Sequence, residues 1–224
     1  PEPAVPEAGA AQMAGMLAAA ERPVMLVGGT RWTAGRASAL ESFAAANDVP
    51  VVAAFRFHDI IDNHCPSFVG DAGVAMNAYM KVLLREADLI VAINIRFGES
   101  TTDGYSLFDA PKMAAKLVHS HASDAEIGKI YAPDLPIHAG PNAMASALAG
   151  ISLPASEART AWRDAARENY LAALTAPAQP GDVDMGVITA HIRDTLPEDA
   201  IITHGAGNFS IWPNKFISYG KNQR

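Results

Sequence analysis

Two short runs, "PVMLV" from Pro23 to Val27 and "LIVAI" from Leu89 to Ile93, contain no polar residue. A strand with one wet face alternates apolar and polar residues, so unbroken runs this short suit strands covered on both faces. Around them the pattern changes repeatedly between strand and helix. Helices are expected over 7–20, 36–46 and 74–87, and strands over 23–28, 50–54, 88–93, 115–119 and 135–138. Short buried strands separated by helices predict an α/β fold, a Rossmann-like parallel sheet with helices on both faces.

Two more helices follow, "PNAMASALAG" and 156–174, the second carrying Ala158, Trp162, Ala166, Tyr170 and Ala173 at helical spacing. The Pro, Gly and Asp content of "TAPAQPGDVD" marks a boundary at 175–184. Beyond it, Met185, Ile188, Ile192 and Leu196 form one apolar helical face, Pro197 ends that helix, and 200–203 reads as a strand. The N-terminal "PEPAVPEAGAAQ" is acidic and proline-rich, like a linker. The expected organisation is a linker (1–12), a central Rossmann-like domain (13–174), a second linker (175–184) and the truncated start of another α/β domain (185–224). One strand between two helices cannot bury both of its faces alone.

Composition excludes several classes. No apolar run approaches the roughly 20 residues of a membrane helix, and no signal peptide is apparent. A formal charge of -7 argues against a nucleic-acid partner. The single cysteine, Cys65, rules out a disulfide framework and suits a cytoplasmic protein.

Ligands of open parallel sheets sit at the carboxyl ends of the strands. The residues there are Gly28, Gly29, Thr30 and Arg31, then Arg56 and His58, then Asn94 and Arg96, and finally His119 and His121. Glycines let backbone N–H groups approach an anion and arginines bind phosphate oxygens, so the set points to a pyrophosphate site. "VGDAGVAMN" places Gly70 and Gly73 before a helix whose first N–H groups would also face an anion. The competing reading is plain turn geometry, since "GGT" is not a complete dinucleotide fingerprint. His119 and His121, two apart on one strand, could ligate a metal weakly, but backbone hydrogen bonds at a strand end are the commoner arrangement. His64 and Cys65 are adjacent, which points their side chains apart and argues against a nucleophilic pair. No acid–base or nucleophile constellation emerges.

"ERPVMLVGG", "VGDAGVAMNAYMKVLLREADLIVAINIRFGESTT" and "KLVHSHASDAEIGKIYAPDLPIHAG" follow one another as in the middle domain of thiamine-diphosphate-dependent enzymes of the acetolactate synthase type, which this chain resembles. "EADLIVAINIRF" and "ASDAEIGK" carry the likeness most strongly. "VITAHIRDTLPEDAIITHGAGNFSIW" is similar to the opening of that family's diphosphate-binding domain.

The resemblance implies thiamine diphosphate and Mg²⁺ as cofactors of the complete enzyme and 2-oxo acids as substrates. It also implies a first domain that supplies an activating glutamate, and a third that holds metal and diphosphate through a G-D-G motif and an asparagine. No "GDG" occurs in this sequence, so the chain is expected to be inactive alone and to need pyrimidine-binding and diphosphate-binding domains as partners, in a homodimer or homotetramer. Gly207, Asn208 and Phe209 stand where the family has G-Q-H beside the diphosphate, and Gly205 where it has Asp. Gly28, Gly29, Gly73 and Arg96 match positions used by relatives that hold FAD or ADP in the middle domain. His121 and Ser123 replace the two aspartates of the family's "HIDID", so His121 is the implied nucleotide neighbour on that strand. Two alternatives stand beside this reading: a free-standing nucleotide-binding module and a purely structural or oligomerisation module.

Overall fold

The computed structural model of the chain describes residues 2–224. Six strands form one sheet: β1 (Pro23–Val27), β2 (Val51–Ala54), β3 (Phe68–Ala72), β4 (Leu89–Ile93), β5 (Lys116–His121) and β6 (Leu135–His138). Their order is β3-β2-β1-β4-β5-β6 and every neighbouring pair is parallel. The chain builds outward from β1 to β3, then returns to the other side of β1 as β4. Loops leaving β1 and β4 therefore diverge and open a crevice between them, the switch point at which such sheets bind ligands.

The unbroken apolar runs feed two separate cores. Met25, Val27, Leu89, Val91 and Ile93 pack against α1 (Glu7–Ala19), α2 (Ala34–Ala46) and α4 (Pro141–Ala149), through Met13, Leu17, Leu40, Phe43, Met144 and Leu148. Val24, Leu26, Ile90 and Ala92 point the other way, onto Met80, Leu83 and Leu84 of α3 (Ala78–Glu86) and Ala166 of α5 (Glu157–Ala173). Each fully buried aliphatic side chain contributes about 1.5–3 kcal/mol, so a polar residue in either run would cost one of the two cores.

Three expectations are corrected. The stretch 69–77, read as placing Gly70 and Gly73 before a helix, begins inside the edge strand β3. Gly70 lies inside it at φ 111°, where a Cβ would meet the Tyr79 hydroxyl at 2.6 Å. The next helix starts at Ala78, not Val74, so Gly73 is at the end of a strand and not at a helix N-terminus. Finally, 200–203 forms no sheet strand. Its backbone makes a single exchange with the C-terminus, Ile202 N–H to Arg224 O at 2.7 Å and Arg224 N–H to Ala200 O at 3.1 Å. With Ile201 74% exposed, the segment has no sheet to join.

The strand ending at His121 runs two residues beyond the expected 119, which carries His121 in register with His138 of β6. Residues 7–12, where the expected helix over 7–20 and the expected linker over 1–12 overlap, belong to α1. The expected helix at 156–174 is α5, capped by the Ser156 hydroxyl accepting from Arg159 N–H. Of its proposed face, Ala166 and Tyr170 are buried and Ala158 is exposed. Arg159 is buried instead, at 2% exposure, with Nε donating to Asn47 O at 2.7 Å and Nη2 donating to Pro154 O.

After α6 (Met185–Thr195) and the short α7 (Ile211–Phe216), the C-terminal segment returns to the β3 side of the sheet. Asn63 holds it on both edges: its N–H donates to Tyr219 O at 2.8 Å, and its Oδ1 accepts from Tyr219 N–H at 2.9 Å. The Tyr170 and Ser218 hydroxyls are 3.1 Å apart, and Ile217 and Tyr219 are buried.

Arg159→Met is expected to lower unfolding free energy in urea by about 1–3 kcal/mol, because the carbonyl of buried Asn47 loses its donor while the aliphatic stem is retained. A change below about 0.5 kcal/mol would show that water satisfies that carbonyl.

Candidate functional site

The crevice between β1 and β4 has a volume of about 510 Å³ and is lined by Gly29, Thr30, Arg31, Asn94, Arg96 and His121, among others. That lies within the 300–1,000 Å³ of small-molecule pockets. The loop after β1 is held rigidly from behind. Asn94 Nδ2 donates to Thr30 O at 3.0 Å and Gly28 O at 3.4 Å, and Trp32 Nε1 donates to Gly28 O at 2.9 Å. From α4, Asn142 Nδ2 donates to Arg31 O at 2.7 Å, while its Oδ1 accepts from Thr33 N–H at 3.0 Å. Glu2 in turn fixes the Asn142 side chain, accepting from Nδ2 at 2.6 Å.

The carbonyls of Gly28, Thr30 and Arg31 are thus occupied by side-chain donors. Among the described residues, the N–H groups of Gly29, Thr30 and Arg31 have no acceptor. Successive free N–H groups in a turn form a concavity for an anion. The conformation needs glycine at one point, since Gly29 has φ 70° and a Cβ there would collide with the Asn94 carbonyl. Arg31 at φ 75° and Asn94 at φ 55° adopt left-handed backbone without being glycine, strain of the kind that concentrates at binding sites.

Charge has the same sign throughout the crevice. Arg31 and Arg96 line it and no carboxylate does. Arg96 is 74% exposed, and its Nε lies 3.8 Å from Glu126. His121 Nδ1 is 3.0 Å from Ser123 N and 3.2 Å from Ser123 O. Nδ1 is thus within reach of both a backbone donor and a backbone acceptor of the same residue. Burial holds His121 below the ordinary value of 6.5, with the Ser123 backbone and Glu126 opposing.

His119 is a core residue, 1% exposed. Its Nε2 lies 3.2 Å from Ile95 O, its Nδ1 accepts from Gly128 N–H at 3.4 Å, and its ring meets Phe97 edge-on at 5.1 Å. Burial pushes its pKa down as well. Among the described residues no three His, Cys, Asp or Glu side chains converge on a metal position.

The structure therefore brings together Gly29, Arg96 and His121 and separates the other expected residues. Gly28 is buried behind the crevice, where a Cβ would meet Ala54 at 2.9 Å and Ile95 at 3.0 Å, so its glycine is a packing requirement. Gly73 follows the edge strand β3, two strands from β1, and lines neither this crevice nor a neighbouring one. Gly207 and Asn208 line a different cleft of about 750 Å³, facing Arg56 and His58 of the segment that follows β2. Phe209 is 53% exposed. Asn142 and Thr101 were not singled out by the sequence. Asn142 acts on a loop 109 residues away, a pairing that no local pattern signals.

Residues 10–148 match the family model described as thiamine pyrophosphate enzyme, central domain. Among curated proteins the chain is 29% identical to an acetolactate synthase large subunit of Parasynechococcus marenigrum (strain WH8102), over 98% of this chain and 35% of that protein. It is 24% identical to the acetolactate synthase isozyme 2 large subunit of Escherichia coli (strain K12), over 96% of this chain and 38% of the relative. For the acetolactate synthase large subunit of Corynebacterium glutamicum the figures are 29%, 92% and 33%. The chain spans about a third of the length of these relatives.

Gly29→Ala is expected to destabilise the protein by about 1–3 kcal/mol through the left-handed backbone alone, with the Asn94 collision adding to it; thermal unfolding measures the loss. The histidines give a pH signature. Both folded pKa values lie below the unfolded value of 6.5, so the unfolded chain binds more protons beneath that pH. Stability from these rings is complete above pH 6.5 and declines on acidification until their folded midpoints are passed. Ring resonances of His119 and His121 followed by NMR should titrate below 6.5.

Proposed function

The chain belongs to the thiamine pyrophosphate enzyme family through its central domain, and on that footing we propose that it is the central, non-catalytic part of an acetolactate-synthase-like decarboxylase or carboligase acting on 2-oxo acids. The observation that carries this reading is the match of residues 10–148 to the central-domain model, on relatives about three times as long. Catalysis then depends on partner domains, one binding the cofactor's pyrimidine and one its diphosphate, in a homo-oligomer of two or four chains.

Thiamine diphosphate, the cofactor this family implies, acts as an electron sink for a 2-oxo acid when bound. The residues present do not suffice to hold it. Gly207 and Asn208 offer a glycine turn and an amide, Phe209 brings an apolar ring where a hydrogen bond would be needed, and no carboxylate set for Mg²⁺ exists among the described residues. Residues 185–224 fit the start of the diphosphate-binding domain, and their uncovered apolar groups support that assignment. Val187, Ile201 and Phe209 are 67%, 74% and 53% exposed, a surface suited to the remainder of such a domain.

The second reading, an FAD or ADP site in the crevice, is favoured by the three free N–H groups beside Arg31 and Arg96. Gly29, Arg96 and His121 are the residues proposed to contact the nucleotide. The crevice has no acidic residue to receive ribose hydroxyls, so binding would rest on the phosphates.

Incubated with pyruvate, thiamine diphosphate and Mg²⁺, the chain is expected to release CO₂ no faster than buffer; release at an enzymatic rate would overturn the non-catalytic assignment. Acid denaturation of the purified protein tests the nucleotide reading, since a bound nucleotide would leave adenine absorbance in the supernatant.

A further inference from the structure

α4 starts without a cap of its own. Its N-cap residue is Gly140, which offers no side chain, its first turn holds no acidic residue, and Pro141 at its first position has no N–H to donate. The leading N–H groups of a helix must find acceptors outside it, and here Glu2, 140 residues away, supplies them. Its Oε2 accepts from Asn142 N–H at 3.1 Å and from Ala143 N–H at 3.3 Å, while its Oε1 accepts from Asn142 Nδ2 at 2.6 Å. A carboxylate suits the positive end of the helix dipole, and among the described residues Glu2 forms no ion pair that competes for it. Gly140 makes the room: at φ -78° its backbone would admit any residue, but a Cβ there would lie 2.5 Å from the Glu2 carboxyl.

We propose that Glu2 is a latch, a positioning residue through which the segment entering α1 sets the shape of the crevice loop. Asn142 transmits the hold. Its Oδ1 accepts from Thr33 N–H at 3.0 Å and from Thr33 Oγ1 at 3.1 Å, and its Nδ2 donates to Arg31 O at 2.7 Å as well as to Glu2. With both Nδ2 hydrogens committed, the amide cannot turn over without breaking bonds to the segment and to the loop together. Thr33 is also the N-cap of α2, its carbonyl accepting from Arg36 and Ala37 N–H, so one side chain fixes the loop and the start of the helix that follows it. Displacing Glu2 therefore frees Asn142 and loosens residues 31–33, including Arg31 in its left-handed backbone at φ 75°. On the central-domain reading the same segment joins the crevice to a preceding domain, whose movement would be felt at Arg31; the latch itself stands without that reading.

Amide hydrogen exchange of the full chain, followed by NMR, tests the latch. Glu2 and Asn142 are half-buried, and Gly140→Ala meets only the end of the flexible Glu2 side chain, so the variants are expected to fold, which circular dichroism checks. Glu2→Ala is expected to speed exchange about fivefold at Thr33 as well as at Asn142 and Ala143, the scale of one hydrogen bond. Gly140→Ala, which displaces the carboxyl without removing it, should act in the same direction, and amides of β3 at the far edge of the sheet should be unchanged. In an Asn142→Ala background, Glu2→Ala should add nothing at Thr33, because the side chain that couples them is gone. Faster exchange at Asn142 and Ala143 with Thr33 unmoved would reduce Glu2 to a helix cap and overturn the proposal. So would no change at all, acceleration shared equally by β3, or a Glu2→Ala effect at Thr33 that survives without Asn142. None of these measurements involves nucleotide, thiamine diphosphate or 2-oxo acid, so their outcome is separate from that of the CO₂ and adenine tests.

Discussion

The Asn94 amide, donating to the Thr30 and Gly28 carbonyls, fixes the seam on which the rest of this molecule depends. β1 and β4 are neighbours whose chains leave in opposite directions, so their outgoing loops have no reason to stay in contact. Asn94 gives them one, and adopts φ 55° to do so. Its backbone carbonyl then occupies the space a Cβ at Gly29 would need. Each element of the crevice constrains the next: the sheet order makes the gap, Asn94 bridges it, and Gly29 takes the left-handed backbone that the Asn94 carbonyl leaves room for. Asn142 repeats the device from the other wall, so the loop after β1 is held by hydrogen bonds from both sides. Such preorganisation limits the ordering cost of binding.

How much of this was legible in the sequence follows from the range of each interaction. The runs at Pro23–Val27 and Leu89–Ile93 declare buried parallel strands because the condition is met residue by residue, on both faces, within the run. β3 escaped because its run is broken by Gly70 and Asp71, and an edge strand needs cover on fewer sides. The 200–203 stretch misleads in the opposite sense: it is β-branched and apolar, yet propensity cannot supply the neighbouring strand it needs. Gly28 and Gly29 are adjacent and look equivalent, but one answers to Ala54 and Ile95 behind it and the other to Asn94 beside it. Arg96 and His121 were readable because strand ends are local features. Asn142 was not, because its role exists only once α4 has packed beside the loop after β1.

The C-terminal forty residues are attached to the domain in two different ways. Ile217 to Tyr219 are buried and bonded through Asn63, while the end of α6 and the glycine turn at Gly205 to Gly207 line open clefts. Backbone pairing with a buried asparagine fixes position, whereas apolar residues half in water fix little. The glycine turn is thereby kept near Arg56 and His58 by a clamp some dozen residues further along. Any diphosphate held by that turn would feel basic groups contributed by the central domain.

Net charge conceals this arrangement. The chain carries -7 overall, which by itself suggests indifference to anions. Yet Arg31, Arg56, Arg96, Lys221 and Arg224 line concavities at the carboxyl edge of the sheet and outnumber the carboxylates there, Glu41, Asp59 and Asp62, while acidic residues dominate elsewhere. Field at a site depends on charges within about a Debye length, near 8–10 Å at ordinary salt, and hardly at all on the total. An acidic protein can thus present a locally positive edge, and it does so here because the sheet topology delivers the ends of three strands and the C-terminal turn to one place. The basic residues stand at positions as separate as 31, 56, 96 and 221, so the clustering is a property of the fold and not of the sequence.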